Sequence, residues 1–161
     1  MRIAHLNLAR GYRGGERQTE LLIRGLSSDI QQILVARRDG QLASRLADMP
    51  GVQIRAGSSN LLSAAWRARG ADIVHAHEGH AVYGAYLWHL VCGGPFVVTR
   101  RVTNPLGRRL LTRRAYRSAA VVACVSAQIA KIMADYDRAI TRQVVRSVGS
   151  GLHADERTLR G

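Results

Sequence analysis

The chain has 161 residues, 47% of them hydrophobic, and 24 Lys plus Arg against 11 Asp plus Glu, a formal charge of +13. That length and apolar content fit one globular domain and exclude a disordered or collagenous chain; a domain of this size buries about 70% of the surface its unfolded chain exposes, so its core needs neither disulfides nor a structural metal. No apolar run approaches ~18 residues and the first residues lack a basic flank with a long apolar stretch, which argues against a membrane span or a signal peptide and for a cytoplasmic location, with peripheral membrane contact left open.

The basic excess is distributed unevenly. One cation, Lys131, is lysine and the rest are arginine, a ratio that genome composition alone can produce. Position says more: between Gly79 and Ala134 there is no Asp or Glu, while Arg100, Arg101, Arg108, Arg109, Arg113, Arg114, Arg117 and Lys131 fall inside the window. That segment is expected to face something anionic. Cys92 and Cys124 each lie in an apolar run, the setting of buried free thiols in a reducing compartment.

Short Ile- and Val-rich runs alternate with longer helix-like stretches from the first residue onward. Strands are expected over Arg2 to Asn7, Gln32 to Ala36, Val52 to Arg55, Asp72 to His75, Phe96 to Thr99, Ala120 to Val125 and Val144 to Val148. Helices are expected over Glu16 to Leu26, Gln41 to Asp48, Leu61 to Arg69, His80 to Val91, Arg108 to Arg117 and Ala127 to Asp135. Strands separated by helices imply right-handed βαβ crossovers, hence an α/β fold with a Rossmann-like, doubly wound parallel sheet of about seven strands. The near-continuous apolar runs at Ile73-Val74 and Phe96-Val97-Val98 predict a sheet covered on both faces. In such sheets ligands bind beyond the carboxyl ends of the strands.

The loop after the first strand reads Leu8-Ala9-Arg10-Gly11-Tyr12-Arg13-Gly14-Gly15-Glu16 and opens a helix. Its glycines let backbone approach a ligand, the helix N-terminus favours a phosphate or carboxylate, and Arg10 and Arg13 add charge. The spacing is neither G-x-G-x-x-G nor a P-loop, and the plain alternative is a flexible turn in which Glu16 suits the helix dipole.

After the fourth strand, His75-Ala76-His77-Glu78-Gly79-His80 sets three histidines and a glutamate within six residues. Alternation puts His75 and His77 on one face, so one can sit under the other. A metal site would need further ligands that the carboxylate-poor sequence hardly offers; the alternative is one packed histidine and one facing the cleft, where an imidazole serves as donor or acid-base group.

Thr99-Arg100-Arg101 follows the fifth strand, and Arg108 to Arg117 reads as a basic amphipathic helix whose arginines form a broad polar face around Leu110, Leu111 and Ala115. Such a face is either solvated or docks on an anionic membrane or acceptor. Tyr116 alone supplies an aromatic ring nearby, which disfavours a stacking platform for single-stranded nucleic acid. Ser126 falls where a strand passes into a helix and reads as an N-cap, since no G-x-S-x-G elbow surrounds it.

Taken in order, Gly14-Gly15-Glu16-Arg17, Asp72-Ile73-Val74-His75-Ala76-His77, Gly94-Pro95-Phe96-Val97-Val98-Thr99, Ala120-Val121-Val122-Ala123-Cys124-Val125-Ser126 and Val148-Gly149-Ser150-Gly151-Leu152 resemble glycosyltransferase family 4. The resemblance is to the N-terminal, acceptor-side domain of a GT-B enzyme, over residues 1–152, with 153–161 as the start of an interdomain linker and the C-terminal donor-binding domain absent. It implies retaining transfer from a nucleotide-sugar co-substrate, with no cofactor and no metal. By motif position it puts Gly14, Gly15 and Glu16 at the loop approaching the donor phosphates and His77 near the transferred sugar as the catalytic candidate, with His75 in support. Relatives often carry a histidine after the strand-five threonine; Arg100-Arg101 here implies an anionic or lipid-linked acceptor, bound with Arg10 and Arg13, while Arg108, Arg109, Arg113, Arg114 and Arg117 would meet a membrane or other anionic surface. Asp155-Glu156 does not replace the glutamate pair of the missing domain, so the chain alone is expected to turn over no substrate. The rival readings are a non-catalytic module binding anions or nucleic acid, and a hydrolase with a metal on His75, His77 and His80.

Overall fold

The computed structural model describes residues 1–107, 109–137 and 140, together with the backbone of 144–146. The elements in chain order are β1 (Arg2–Asn7), α1 (Gly14–Gly25), β2 (Gln31–Ala36), α2 (Gln41–Arg45), β3 (Val52–Ile54), α3 (Leu61–Arg67), β4 (Ile73–Ala76), α4 (Gly79–Cys92), β5 (Phe96–Arg100), α5 (Leu110–Ser118), β6 (Val121–Cys124), α6 (Ala127–Tyr136) and β7 (Val144–Arg146). The seven strands form one sheet in the order β3-β2-β1-β4-β5-β6-β7, parallel throughout. This is the Rossmann-like sheet expected from the strand and helix alternation. Arg108, the end of the seventh predicted strand at Ser147 and Val148, the closing Val148 to Leu152 motif and the proposed linker lie outside the described residues.

Alternation along β2 divides the core. Ile33 and Val35 join Ala4, Leu6, Val74, Ala76, Phe96, Val98 and Val122 in the larger apolar cluster, packed by α3 to α6. Leu34 and Ala36 face the other way, against Ile23 of α1 and Leu42 of α2. The two-sided cover expected for the central strands is incomplete: on the second face Val97, Thr99, Val121 and Ala123 are only half-buried, so β5 and β6 alternate in burial although their sequences do not alternate in polarity.

Helix α4 is apolar on nearly every side because it is walled in. Gly84 lets it approach the sheet and α3: a Cβ there would stand 3.4 Å from both Ala64 Cβ and Leu6 Cδ2. Glu78 caps its first turn, accepting from the His80 and Ala81 amides, and Gly93 ends it in the left-handed region at φ 71°. Cys124 is buried as expected, but Cys92, the last residue of α4, is exposed, as are Leu90 and Val91 in the same final turn. Ser126 caps α6 by accepting from the Ile129 amide at 3.3 Å. Ser126→Ala is expected to cost ~1 kcal/mol, read as a lowered urea midpoint without a change in slope.

The basic helix separates the three apolar residues that its arginines were expected to surround. Thr112, Ala115 and Tyr116 form the buried side of α5, whereas Leu110 and Leu111 are exposed together with Arg109 and Arg114. Arg113 and Arg117 both reach Asp137, a buried carboxylate just beyond the acid-free window, at 3.3 and 2.8 Å. Part of the apparent surplus of charge is therefore matched within the fold.

Candidate active-site cleft

Strand order reverses between β1 and β4, and at that switch point the loops after neighbouring strands part to leave a crevice. A cavity of about 310 Å³ lies there, lined by Arg13, Gly15, Glu16, His77, Glu78, Thr99, Arg100, Arg101 and Tyr116 among others. Three expected segments thus meet: the glycine-rich loop, the histidine strand end and the double arginine. Arg10 does not join them; it is exposed and paired with Asp39 at 3.2 Å.

The glycine-rich loop leads straight into α1. The Glu16 carboxylate accepts from the Arg13 amide at 2.8 Å, so this residue of the expected phosphate-approaching loop folds back and closes the first turn. Space beside Gly14 is open, and a Cβ on Gly15 would sit 3.7 Å from Arg101 Nη1. The openness of this loop is what lets backbone meet a ligand; none of its glycines has positive φ.

The register that pairs β1 with β4 sets His5 opposite His75, and the alternation expected for His75 and His77 holds. The rings of His75 and His77 are 3.9 Å apart and those of His5 and His77 5.2 Å. His77 Nε2 lies 3.0 Å from His5 Nδ1, and His75 Nε2 lies 2.6 Å from Thr99 Oγ1. Arg101 completes the group, donating from Nη1 to the His77 carbonyl at 2.7 Å and from Nη2 to His77 Nδ1 at 3.2 Å. His77 is 2% exposed and touches the cavity from its wall. His80 stands apart, exposed, with Nε2 2.9 Å from the Ser59 carbonyl, and Glu78 is occupied as a cap.

Burial pushes all three clustered imidazoles toward the neutral form. It takes His5 down to about 4, against a partial pull upward from Gln32, and takes His75 down to about 3, with His5 and Arg101 adding to the effect. His77 is held well below 6.5 by burial first, then by His75, His5 and Arg101. Burial also lowers the pKa of Arg101, partly offset by Glu16, although a guanidinium stays charged. Arg100 is buried and directed into the fold, donating to the Tyr116 hydroxyl at 3.4 Å and to the Asn104 carbonyl.

Among the described residues, His5, His75 and His77 form a set whose nitrogen atoms lie within 4.8 Å of one another and could in principle hold a metal ion. Each ring already has a hydrogen-bonding neighbour, and the adjoining guanidinium opposes added positive charge. Sequence reading missed His5 and Thr99. The signal for His5 was present: His5 and Asn7 alternate with Ala4 and Leu6 in a central strand, polar residues where a parallel sheet is ordinarily apolar on both faces.

A Rossmann-like half with a charged crevice at its switch point, open toward the strand ends, is the form taken by one wall of a GT-B glycosyltransferase. The sequence profile of Glycosyltransferase Family 4 matches residues 12–155, and the chain belongs to that family. The fold is similar to Anabaena HepE, crystallised with UDP, at TM-score 0.70 and 13% identity over 91% of this chain and 43% of that one. It is also similar to a glycosyltransferase from Rickettsia africae, at 0.66 and 18% over 90% and 42%, and to the lipopolysaccharide outer core galactosyltransferase WaaB, at 0.60 and 14% over 90% and 44%. The chain thus spans less than half the length of these structures. No curated protein matches the sequence. No helix of the described residues is long and apolar enough to cross a membrane.

Proposed function

We propose that this domain is the acceptor-side half of a retaining glycosyltransferase that moves a hexosyl unit from a nucleotide sugar, without a metal or other cofactor, to a lipid-linked or cell-surface glycan acceptor at the cytoplasmic face of a membrane. The observation that carries the reading is the meeting of the Gly14-Gly15-Glu16 loop, His77 and Arg101 around one cavity at the switch point. The first-turn amides of α1 suit an anionic oxygen, and Arg13 and Arg101 bring positive charge to the same opening. His77, at the cavity wall, is the histidine that the family resemblance sets beside the transferred sugar. Similar structures crystallised with UDP and UDP-glucose support a nucleotide-sugar donor, held mainly by a second domain.

The membrane part of the reading is supported by α5. Exposed Leu110, Leu111 and Val102 stand with exposed Arg109 and Arg114, a mixture suited to shallow insertion among anionic headgroups. The 161-residue chain is expected to bind vesicles containing anionic lipid, with affinity falling steeply as salt rises, and to transfer no sugar by itself. Salt-insensitive binding, or binding that survives combined replacement of Arg109, Arg114, Leu110 and Leu111, would remove the membrane role. Sugar transfer by this chain alone would overturn its assignment as half of the catalytic unit.

A further inference from the structure

The ring contacts of His77 define a direction for every proton in the cluster, and that direction identifies which side chain the cleft presents. Arginine has only donors, so the contact between Arg101 Nη2 and His77 Nδ1 makes Nδ1 an acceptor. A neutral His77 then carries its proton on Nε2 and donates to His5 Nδ1. His5, accepting at Nδ1, keeps its own proton on Nε2. That Nε2 is buried without a hydrogen-bond partner, as is Gln32 Oε1. Gln32 is fixed in turn, its Nε2 donating to the Ile23 carbonyl at 3.0 Å. A single proton arrangement satisfies the contacts from Arg101 through His77 to His5.

Both nitrogens of His77 are consumed in this chain, and neither is left for a substrate. Arg101 is different. It is held from behind by the His77 carbonyl and ring, its Nη1 reaches Thr19 Oγ1 at 3.4 Å, and it flanks Gly15 at the mouth of the cavity. Among the described residues no carboxylate forms an ion pair with it. A largely desolvated guanidinium with no direct ion pair, offset only through space by Glu16, favours an incoming anion.

We propose that Arg101 is the anion-binding residue of the cleft, contacting a phosphate group, and that His77 and His5 are positioning residues that act through it. The proposal deepens the glycosyltransferase reading, on which it rests for the use of the phosphate: a nucleoside diphosphate in the donor and a prenyl phosphate in the acceptor share this chemistry. It also moves His77 from substrate contact to the support of Arg101.

The test uses the 161-residue chain with ¹⁵N-labelled histidine. At pH 7 the imidazole spectra are expected to give the Nε2–H tautomer for both His5 and His77, and inorganic pyrophosphate is expected to shift the His77 signals on binding. Arg101→Leu should weaken pyrophosphate at least tenfold and release His77 from its single tautomer. Arg101→Lys should restore part of the binding without restoring the tautomer, and His5→Leu, which removes the acceptor of the His77 Nε2 proton, should lower affinity several-fold while the folded spectrum persists. UDP and a short prenyl phosphate then distinguish the sources, and competition of either with pyrophosphate upholds the site. A proton on His77 Nδ1, pyrophosphate affinity untouched by Arg101→Leu, or stoichiometric zinc uptake by the three histidines would each overturn the proposal. None of these readouts requires sugar transfer, so failure of the transferase reading and failure of this one are seen separately.

Discussion

Lowering the pH from 7 to 4.5 is expected to destabilise this domain markedly. In the unfolded chain the three clustered histidines take up protons near 6.5, whereas the folded His5 and His75 resist protonation until about 4 and about 3, and burial holds His77 well below 6.5. Between those limits the unfolded state binds more protons than the native one, so stability rises with pH and falls on acidification. Each such group contributes up to ~1.4 kcal/mol per pH unit, against a total stability of about 5–15 kcal/mol for a typical domain. Glu20, which burial alone would push up but Tyr12, Arg45 and Arg24 lower to about 2 from 4.5, is a source of acid loss mainly below about 4.5. The interval from 6.5 to 4.5 therefore isolates the histidines. Urea midpoints at pH 7, 5.5 and 4.5 measure the effect, and His75→Gln should reduce the slope by roughly a third, as one of three buried titrating rings is removed. A midpoint independent of pH over that interval would contradict burial of the cluster.

The second large effect is expected at Gly94→Ala. Trp88 is 2% exposed, and its benzo edge lies over Gly94: a Cβ there would fall 2.3 Å from Cη2 and 2.9 Å from Cζ3. Neither partner can withdraw cheaply. The indole is enclosed in the main core, and Gly94 sits between the end of α4 and the start of β5, two residues before buried Phe96. The added methyl should cost about 1–3 kcal/mol, and in a domain of this size ~1 kcal/mol lowers Tm by roughly 2–4 °C. Trp88→Phe removes the benzo ring and should recover part of that loss in the double variant, so a thermodynamic cycle of the four proteins should give a coupling of at least ~0.5 kcal/mol. Additive costs would mean that the indole does not pack on Gly94.

The sheet was legible because parallel strands and their crossover helices leave a strong local signature, and strand starts at Arg2, Val52, Phe96 and Val144 agree with the structure. The partial exposure of β5 and β6 was not legible: Val97 and Val121 are apolar, and composition does not say whether a layer lies over them. The buried side of α5 was not legible for a related reason: the sequence grouped Leu110, Leu111 and Ala115 among the arginines, and the side that packs is made by Thr112, Ala115 and Tyr116, two of them polar or amphipathic. At the site, motif order brought the right segments together, but the contribution of His5 depends on register between strands some seventy residues apart. Asp137 escaped for the same reason: the acid-free window was real in sequence, and the fold brings a carboxylate back to Arg113 and Arg117 from outside it.

The placement of β1 at the centre of the sheet constrains the order in which the protein can form. Synthesis delivers β1 before both of its neighbours: one of its edges pairs with β2, made soon afterwards, and the other must wait for β4 at residues 73–76. A nascent chain that has emerged only as far as α3 carries a strand with one side paired and the other open, beside the buried core residues Ala4 and Leu6. Non-local closure of this kind slows folding and leaves edges available for wrong partners. The histidine cluster matures at the same moment, because His5 has no His75 or His77 to meet until β4 docks. Assembly of the cleft therefore coincides with closure of the sheet, and its ring contacts report on late folding events.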